Sequence, residues 1–246
     1  GMEWAQCVIA ASIAAPLLST WGFATDDDNG GSSIPFASVV VSLFGGSGDG
    51  KTGVQKVANS IWGHPTEMLG LKADTPLARF QHIGTYNNIP VQFDEMSGMD
   101  ADEISNFAYQ CTQGRPKNAS TADGTKRKNE LRWNTVITLS TNTSQIAILR
   151  DRGASEAQIR RIFELKTAPL AGVSKYNAAE ADELLGNLRN HYGVVGHEIA
   201  RVFMEDPIYH ADALSKLYGD LYKHHKLDTK NRFYVMYIAL VVYGCR

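Results

Sequence analysis

The sequence predicts an α/β fold built on a parallel β-sheet, and three observations lead to this prediction. Short runs of apolar and β-branched residues alternate with segments of helical periodicity, which is the pattern of strands joined by crossover helices. The apolar run VVVSLF at residues 39–44 leads directly into the glycine-rich stretch GGSGDGKT. A chain of 246 residues is long enough for such a sheet and for an additional helical unit.

The individual elements follow in chain order from local patterns. A helical pattern over residues 3–19 is disturbed by Pro16, and a polar, glycine-containing loop follows at residues 24–33. Strands are predicted at residues 38–44, 68–71, 89–93, 135–140 and 162–165. Helices are predicted between them at residues 53–61, 76–86, 100–113 and 144–150, with Ser155 capping a further one. From residue 178 onward the pattern is helical only.

These patterns divide the chain into three segments. We predict an N-terminal helical segment at residues 1–33, a sheet-containing core at 34–170 and a helical C-terminal region at 171–246. Gly1 ahead of Met2 is typical of a tag-cleavage remnant, and the chain stops directly after an apolar, helix-like run. We therefore interpret the chain as a domain excised from a longer protein, with its C-terminal region cut short.

Composition and charge narrow the class of protein. The formal net charge of -2 and the pI near 6.4 exclude a polybasic nucleic-acid binder, so any such surface must be local. The three cysteines lack metal-ligand spacing and indicate reduced thiols. The apolar run at residues 5–18 is too short for a membrane span, and a basic signal-peptide region is absent. We therefore expect a cytoplasmic protein without a membrane partner.

The glycine-rich stretch fits the phosphate-loop pattern G-x-x-x-x-G-K-[ST] at every fixed position. Its backbone N–H groups must turn inward to hold phosphate oxygens, and glycine reaches the required φ values without a Cβ clash. Lys51 would neutralise charge on the β- and γ-phosphates, and Thr52 would offer its hydroxyl to Mg²⁺. The ordinary alternative is a glycine-rich turn followed by an unrelated lysine. The candidate phosphate-binding residues are Gly45, Gly46, Ser47, Gly48, Asp49, Gly50, Lys51 and Thr52.

Polar residues follow two later predicted strands. If the strand at residues 89–93 neighbours the first strand, Asp94 and Glu95 lie beside the phosphate loop. Asp94 would then hold the hydration shell of Mg²⁺, and Glu95 would act as general base toward the attacking water. On its own, an Asp-Glu pair after a strand is more often a solvated helix cap, but the Lys51 loop about 40 residues earlier favours the catalytic role. Asn142 follows the strand at 135–140 and could orient the water or contact the γ-phosphate, although a turn or cap role, shared with Thr143 or Ser144, remains open.

The order of these motifs resembles the AAA+ and superfamily 3 helicase branch of P-loop ATPases. The stretches SIAAPLL, FGGSGDGKTGVQKVANSIWGHP, VQFDEMSGMDADEISNFAYQCTQGRPK and RWNTVITLSTN carry a closer resemblance. They are similar to the ATPase domains of phage and plasmid helicase–primases, a family catalogued as a domain of unknown function. The resemblance covers about residues 11–165 and continues weakly to NRFYVMYIALVVYG near the end.

The resemblance implies a three-layer AAA+/RecA-like sandwich whose parallel strands have the order 5-1-4-3-2. It also implies that several subunits assemble into a ring, for example a hexamer. ATP would lie between subunits, and a neighbour would supply an arginine that stabilises transition-state charge. Arg160 and Arg161 are the candidates, while Arg150 and Arg152 lie nearer the polar strand end. For any one of them a surface salt bridge is the simpler interpretation. Arg232 stands where lids of this class sometimes carry a phosphate-sensing arginine.

The same resemblance gives residues 114–132 the role of a hairpin that points into the ring pore. Six copies of this hairpin would line a positive channel that suits the backbone of single-stranded DNA. The alternative is ordinary solvated charge in a loop. The candidate nucleic-acid contacts are Arg115, Lys117, Lys126, Arg127 and Lys128.

The sequence thus predicts an ATP- and Mg²⁺-dependent ATPase, the motor domain of a phage or plasmid DNA helicase or helicase–primase. The alternative is a nucleotide-dependent oligomeric loading or interaction module that does not unwind. A small-molecule kinase is a third interpretation, disfavoured because the sequence shows no acceptor-binding motif.

Overall fold

The computed structural model describes residues 2–24, 38–117, 131–169 and 178–246. Within them, a five-stranded sheet has the order β2-β3-β4-β1-β5, and every neighbouring pair is parallel. The strands are β1 (Val39–Phe44), β2 (Leu69–Leu71), β3 (Val91–Asp94), β4 (Val136–Thr141) and β5 (Ile162–Lys166). Read from its other edge, the sheet has the order 5-1-4-3-2 that the resemblance implied. The mixed α/β class and the parallel sheet are therefore confirmed.

Helices precede, connect and follow the strands. Two helices come before the sheet, α1 (Glu3–Ala14) and α2 (Leu17–Ala24). The connecting helices are α3 (Lys51–Trp62), α4 (Pro76–Tyr86), α5 (Ala101–Gln113), α6 (Gln145–Asp151) and α7 (Glu156–Ile159). The helices after β5 are α8 (Ala178–Asn187), α9 (Val194–Glu205), α10 (Pro207–His225) and α11 (Arg232–Gly244), with a 3-10 turn at Thr229–Asn231.

The ends of several helices follow from side-chain capping. The Asp100 carboxylate accepts a hydrogen bond from the Glu103 N–H, and the Glu103 carboxylate accepts one from the Asp100 N–H, which forms a capping box at the start of α5. Thr75 caps α4, whose first residue is a proline. The predicted helix at residues 3–19 is divided into α1 and α2 close to Pro16, because proline cannot continue the backbone hydrogen bonding.

The sheet is apolar on both faces. Val39, Val41 and Leu43 point to one face and join a core cluster formed with α1, α3 and α11. Val40, on the opposite face, joins a second cluster that includes Phe93 and side chains of α4 and α5. A central parallel strand is covered by helices on both sides, and this explains why β1 is an almost continuous run of valine and leucine.

Helices from the two ends of the chain cover the same face of the sheet. Helix α1 packs on α11 so closely that a Cβ added to Gly244 would lie 1.9 Å from the Ala10 carbonyl oxygen. Helix α2 packs on α10, and residues of α1, α10 and α11 belong to one core cluster with β1. The predicted divisions at residues 33 and 170 fall on residues outside the described ranges, so they stay predictions.

The sheet order brings the candidate residues together although the condition stated for them, that β3 neighbours β1, is not met. Strand β3 does not neighbour β1, because β4 lies between them. Parallel strands end at the same edge of a sheet, so Asp94 after β3 still reaches the loop after β1. The intervening strand contributes Ser140, which pairs in register with Leu43 of β1.

Two further predictions concern segments at the limits of the described ranges. The predicted hairpin at residues 114–132 lies mostly outside them, although the Trp133 N–H donates to the Gly114 carbonyl oxygen at 3.1 Å and so joins its two ends. Across residues 2–24, 38–117, 131–169 and 178–246, none of the helices is long and apolar enough to cross a membrane.

Candidate functional site

The loop between β1 and α3 has a conformation that depends on glycine. Gly48 and Gly50 both adopt a φ of +88°, a region that residues with a side chain rarely enter. Gly50 is the N-cap of α3, so the loop leads directly into the positive end of a 12-residue helix. The first residues of α3 therefore present unpaired N–H groups toward the cleft above the loop.

The ammonium group of Lys51 lies over this loop. Its Nζ atom donates to the carbonyl oxygens of Gly45 at 2.9 Å and Gly46 at 2.7 Å. The Asn142 Oδ1 atom lies 3.5 Å from the same nitrogen. Lys51 is only 8% exposed, and these oxygens offset the cost of burying its charge. The structure thus places one cation at the point where α3 begins.

Thr52 and Asp94 form a pair across the sheet edge. The Thr52 hydroxyl donates to the Asp94 carboxylate, with 2.9 Å between Thr52 Oγ1 and Asp94 Oδ2. The Ser140 hydroxyl also donates to Asp94, through a short contact with Oδ1. The Glu95 N–H lies 3.0 Å from both Asp94 Oδ1 and Ser140 Oγ. Strands β3 and β4 and helix α3 therefore fix one carboxylate, which is only 8% exposed, beside the first turn of α3.

Glu95 has an unusual backbone conformation. Its φ is +53°, a left-handed value that costs a residue with a side chain about 1 kcal/mol or more. The two hydrogen bonds of its N–H hold the backbone there, and its exposed side chain lines the cleft next to Asp94. Strain of this kind is often found at functional sites, where the surrounding structure imposes it.

Asn142 is the residue of its loop that is available to the cleft. Among the three residues left open by the sequence, Ser144 is the helix cap, because its hydroxyl accepts from the Ala147 N–H at 2.9 Å. The Thr143 carbonyl oxygen accepts from the Thr141 hydroxyl. The Asn142 N–H donates to the Ser97 hydroxyl at 2.9 Å, which leaves its side-chain amide facing Lys51.

These groups line a single cleft with a volume of about 520 Å³. Residues 47–53 form one wall, and Asp94, Glu95, Ser97 and residues 140–142 form the other. The cleft thus combines a loop of backbone amides, a lysine, two acidic side chains and hydroxyl groups. Such a site can bind a phosphate chain on the loop side and a hard cation on the carboxylate side.

The oxygen donors of Thr52 and Asp94 fit Mg²⁺. Mg²⁺ prefers oxygen ligands and is usually held by one or two carboxylates together with phosphates and water. Within the described ranges, no group of three or more His, Cys, Asp or Glu side chains is arranged to hold a metal by itself. A site made by one hydroxyl and one carboxylate beside a phosphate loop is of the shared kind that Mg²⁺ favours.

None of the arginines that the structure describes lines this cleft. Arg160 forms an ion pair with Glu156 at 3.2 Å and donates to Asn231 Oδ1 at 2.9 Å. The Arg161 guanidinium lies over the Tyr109 ring, 5.0 Å from its centroid. Burial lowers the pKa of this guanidinium from its usual value, and the nearby Arg232 adds to the effect.

The remaining arginine candidates lie elsewhere on the surface. Arg150 and Arg152 are exposed, and Arg152 lines a separate cavity with acidic side chains of α5. The Arg232 guanidinium lies 5.1 Å from the Phe233 ring centroid, at the beginning of α11. The structure does not bring any of these arginines together with Lys51 within one chain.

The nucleic-acid candidates are divided between described and undescribed residues. Arg115 and Lys117 are exposed after the end of α5 and line a small cavity of about 140 Å³. Lys126, Arg127 and Lys128 lie outside the described residues. Tyr109, which is 44% exposed, lines the same small cavity. The sequence analysis did not consider the Tyr109 ring as a neighbour of the basic residues, because Tyr109 lies on α5 and not in the basic segment.

Sequence reasoning also missed two serines that position the site. Ser140 donates to Asp94, and Ser97 accepts from the Asn142 backbone. The sequence contains one indication that Ser140 is a polar site residue: Thr138 and Ser140 place hydroxyl groups on one face of a strand that is otherwise largely apolar. Ser97 had no comparable signal, because its contact depends on how two distant loops meet.

The fold is a mixed α/β arrangement that is also found in a solved helicase structure. A solved structure described as "SCCmec type IV Cch - active helicase" superposes with a TM-score of 0.70 at 18% sequence identity. The match covers 98% of this chain and 42% of that one, so the chain spans less than half of that protein. At this identity, the similarity shows the fold.

Two structures of JCV helicase, each with a bound small molecule, match more weakly. Their TM-scores are 0.37 and 0.33, at identities of 14% and 12%. The matches cover 86% and 87% of this chain and 64% of each JCV chain. TM-scores this low do not establish a shared fold or a shared site.

The family model described as "Domain of unknown function (DUF927)" matches residues 4–131, which is about half of the chain. The chain therefore belongs to the DUF927 family, and the matched range contains the phosphate-loop motif and the Asp94-Glu95 pair. No curated protein matches the sequence.

Proposed function

We propose that this domain is a Mg²⁺-dependent ATPase, the motor domain of a phage or plasmid DNA helicase or helicase–primase. One observation carries the proposal. The Lys51 ammonium, the Thr52–Asp94 pair and the Glu95 carboxylate converge on one cleft at the carboxyl edge of a parallel sheet. Each is the residue type that ATP hydrolysis requires at its position. In this proposal residues 34–170 form an AAA+/RecA-like core.

The phosphate chain of ATP would lie along residues 45–52. The amides of the loop and of the first turn of α3 would donate to its oxygens, supported by the helix dipole. The Lys51 ammonium would exchange the carbonyl oxygens of Gly45 and Gly46 for β- and γ-phosphate oxygens. Because the exchange replaces neutral acceptors with charged ones, it is electrostatically favourable.

Thr52 and Asp94 would hold the metal. When bound, Mg²⁺ supplies positive charge to the β- and γ-phosphate oxygens and so neutralises the charge that develops there. The Thr52 hydroxyl would turn a lone pair toward the cation. Asp94 keeps its hydrogen bond from Ser140, which holds the carboxylate in place.

Hydrolysis would proceed by attack of water on the γ-phosphorus. Glu95 would take the proton from that water, and the bond from the γ-phosphorus to the bridging oxygen would break to give ADP and phosphate. The Asn142 amide would position the water or a γ-phosphate oxygen. Lys51 and an arginine from a neighbouring subunit would stabilise the charge on the transferring group, with Arg160 and Arg161 as the candidates.

The motor would act on single-stranded DNA, which would pass through a ring of subunits. Arg115 and Lys117 begin the basic segment that would contact its backbone, and Lys126, Arg127 and Lys128 would continue it. The Cch protein is described as an active helicase, and its fold matches nearly all of this chain. This similarity supports the choice of a helicase among the many ATPases that share such a cleft.

A second candidate function is a nucleotide-dependent interaction module that assembles or loads other proteins. One observation favours it. The C-terminal helices expose large apolar side chains, with Val194 72%, Met204 73% and Ile208 69% exposed. Exposed apolar surface on this scale is typical of protein–protein contact.

Nucleotide binding and turnover of the Lys51→Ala variant test the proposal. The variant should lose ATP binding, measured with a fluorescent ATP analogue, and phosphate release should fall to background. Lys223→Ala, on the exposed end of α10, is the matched control and should behave like the wild type. Unchanged turnover in Lys51→Ala would remove the phosphate loop from the mechanism.

Stimulation by DNA separates the two candidate functions. A motor domain should hydrolyse ATP faster when a single-stranded oligonucleotide is present, whereas a loading module should show no such stimulation. Combined alanine substitution of Lys126, Arg127 and Lys128 should abolish the stimulation and leave basal turnover intact. A variant that retains full stimulation would exclude this segment as the DNA contact.

A further inference from the structure

The phosphate loop contains a buried carboxylate that phosphate binding does not explain. Asp49 is 6% exposed, and its Oδ2 atom accepts a hydrogen bond from the Thr167 hydroxyl at 2.6 Å. A negative charge inside a loop that is built to hold an anion works against that anion electrostatically. Asp49 therefore has another role in the loop, and its hydrogen bond with Thr167 indicates what that role is.

Thr167 stands directly after β5, and the local backbone fits around its contact with Asp49. The Thr167 N–H donates to the Phe44 carbonyl oxygen at 2.8 Å, which extends the pairing of β5 with β1 by one residue. A Cβ added to Gly45 would lie 2.0 Å from the Thr167 hydroxyl oxygen and 2.4 Å from Asp49 Oδ2. Gly45 therefore leaves the space in which this hydrogen bond forms.

The same strand contacts the opposite wall of the cleft through Glu164. Its carboxylate accepts from the Ser144 hydroxyl at 2.6 Å, from the Gln145 N–H at 2.6 Å and from the Ile146 N–H at 3.2 Å. These bonds fix the first turn of α6 and its N-cap Ser144, two residues after Asn142. A carboxylate that accepts three hydrogen bonds is a strong positional restraint.

We propose that Thr167 and Glu164 are positioning residues for the nucleotide site, one for each wall of the cleft. Thr167 acts through Asp49 and sets the shape of the phosphate loop. Glu164 acts through Ser144 and sets the place of the Asn142 amide. The inference rests on the proposed nucleotide function and extends it to the edge strand β5, which lines no part of the cleft itself.

The two residues should have different kinetic signatures. Thr167→Val removes the hydroxyl and keeps the shape of the side chain, so the phosphate loop should lose its pre-organised conformation and nucleotide affinity should fall about tenfold. Thr167→Ser keeps the hydroxyl and should restore most of the affinity. Glu164→Ala should leave the affinity unchanged and lower kcat about tenfold or more, because it displaces a group that acts during turnover.

A double-mutant cycle tests whether Thr167 acts through Asp49. If it does, Thr167→Val should weaken nucleotide binding in the wild-type background and have no further effect in the Asp49→Ala background, where the contact is already absent. Additive losses would overturn this part of the proposal. Lys166→Ala changes an exposed neighbour on β5 and should leave affinity and kcat at wild-type values.

A purely structural role would give a different result. In that case Thr167→Val and Glu164→Ala would lower the urea midpoint, while the folded fraction would bind and turn over ATP like the wild type. That outcome overturns the inference but leaves the proposed function standing, provided Lys51→Ala is inactive. If the wild type does not bind ATP at all, the proposed function fails first. If Thr167→Val does not fold, Asp49→Ala measures the same contact from its other side.

Discussion

Replacing Gly196 by alanine tests how the C-terminal helices are joined to the helix that carries Lys51. Gly196 lies on α9, where an added Cβ would be 2.4 Å from the Ile61 carbonyl oxygen and 2.8 Å from the Trp62 ring. Ordinary contacts begin near 3.4 Å, so α9 would have to move about 1 Å away from α3. The nearest obstacle is backbone, which cannot rotate out of the way.

The expected magnitude follows from comparison with a second glycine. Gly219 is inside α10 and has nothing within 4 Å of its added Cβ, so alanine there should stabilise the protein by about 0.5–1 kcal/mol through helix propensity. Alanine at Gly196 gains the same helix propensity, but the overlap of its Cβ with the Ile61 carbonyl oxygen should lower the free energy of unfolding by about 1–3 kcal/mol. The difference between the two variants cancels the propensity and isolates the overlap.

Urea unfolding followed by circular dichroism measures both variants against the wild type. We expect Gly219→Ala to raise the free energy of unfolding and Gly196→Ala to lower it. A difference of about 2 kcal/mol corresponds to about 4–8 °C in Tm for a chain of this size. Equal stabilisation by the two substitutions would refute the close packing of α9 on α3.

Three further predictions concern the site and its surroundings. Glu95→Gln should bind ATP normally and hydrolyse it at a background rate in a phosphate-release assay, because an amide cannot take the proton from water; normal turnover would place the general base elsewhere. Ser140→Ala should lower the free energy of unfolding in urea by about 1–3 kcal/mol, because Asp94 loses a buried donor; an unchanged midpoint would contradict this. Burial lowers the pKa of His82 from 6.5, so the unfolded state binds more protons just below that pH, and stability is lost as the pH falls through this window. His82→Gln should therefore show a flatter dependence of the urea midpoint on pH than the wild type, and an identical dependence would argue against this cause.

Local sequence patterns were sufficient for the elements and for part of the cleft. The glycine spacing before Lys51 predicted the loop, because the chain has few ways to turn from a buried strand into a helix there. The Asp-Glu pair at the end of β3 was predicted because the end of a strand is readable from hydrophobic periodicity. Both signals lie within a few residues of the feature that they predict.

The contacts that complete the cleft could not be predicted from local patterns. Ser140 and Asp94 are 46 residues apart in the chain, and Thr167 and Asp49 are 118 apart. Each pair meets only because of the strand order, and that order came from a family resemblance and not from periodicity. The simple condition that β3 neighbours β1 is not met, because β4 lies between them, as the order 5-1-4-3-2 implied by the resemblance requires.

The packing of α1 against α11 has a consequence for synthesis. About 220 residues separate the end of α1 from the start of α11, and both cover one face of β1. At about 5–20 residues per second, a ribosome needs on the order of ten seconds or more to make the second helix after the first. During that interval the face of β1 that α11 will cover is covered only in part, by α1 and α3, so the nascent chain leaves apolar surface exposed to aggregation until α11 has been made.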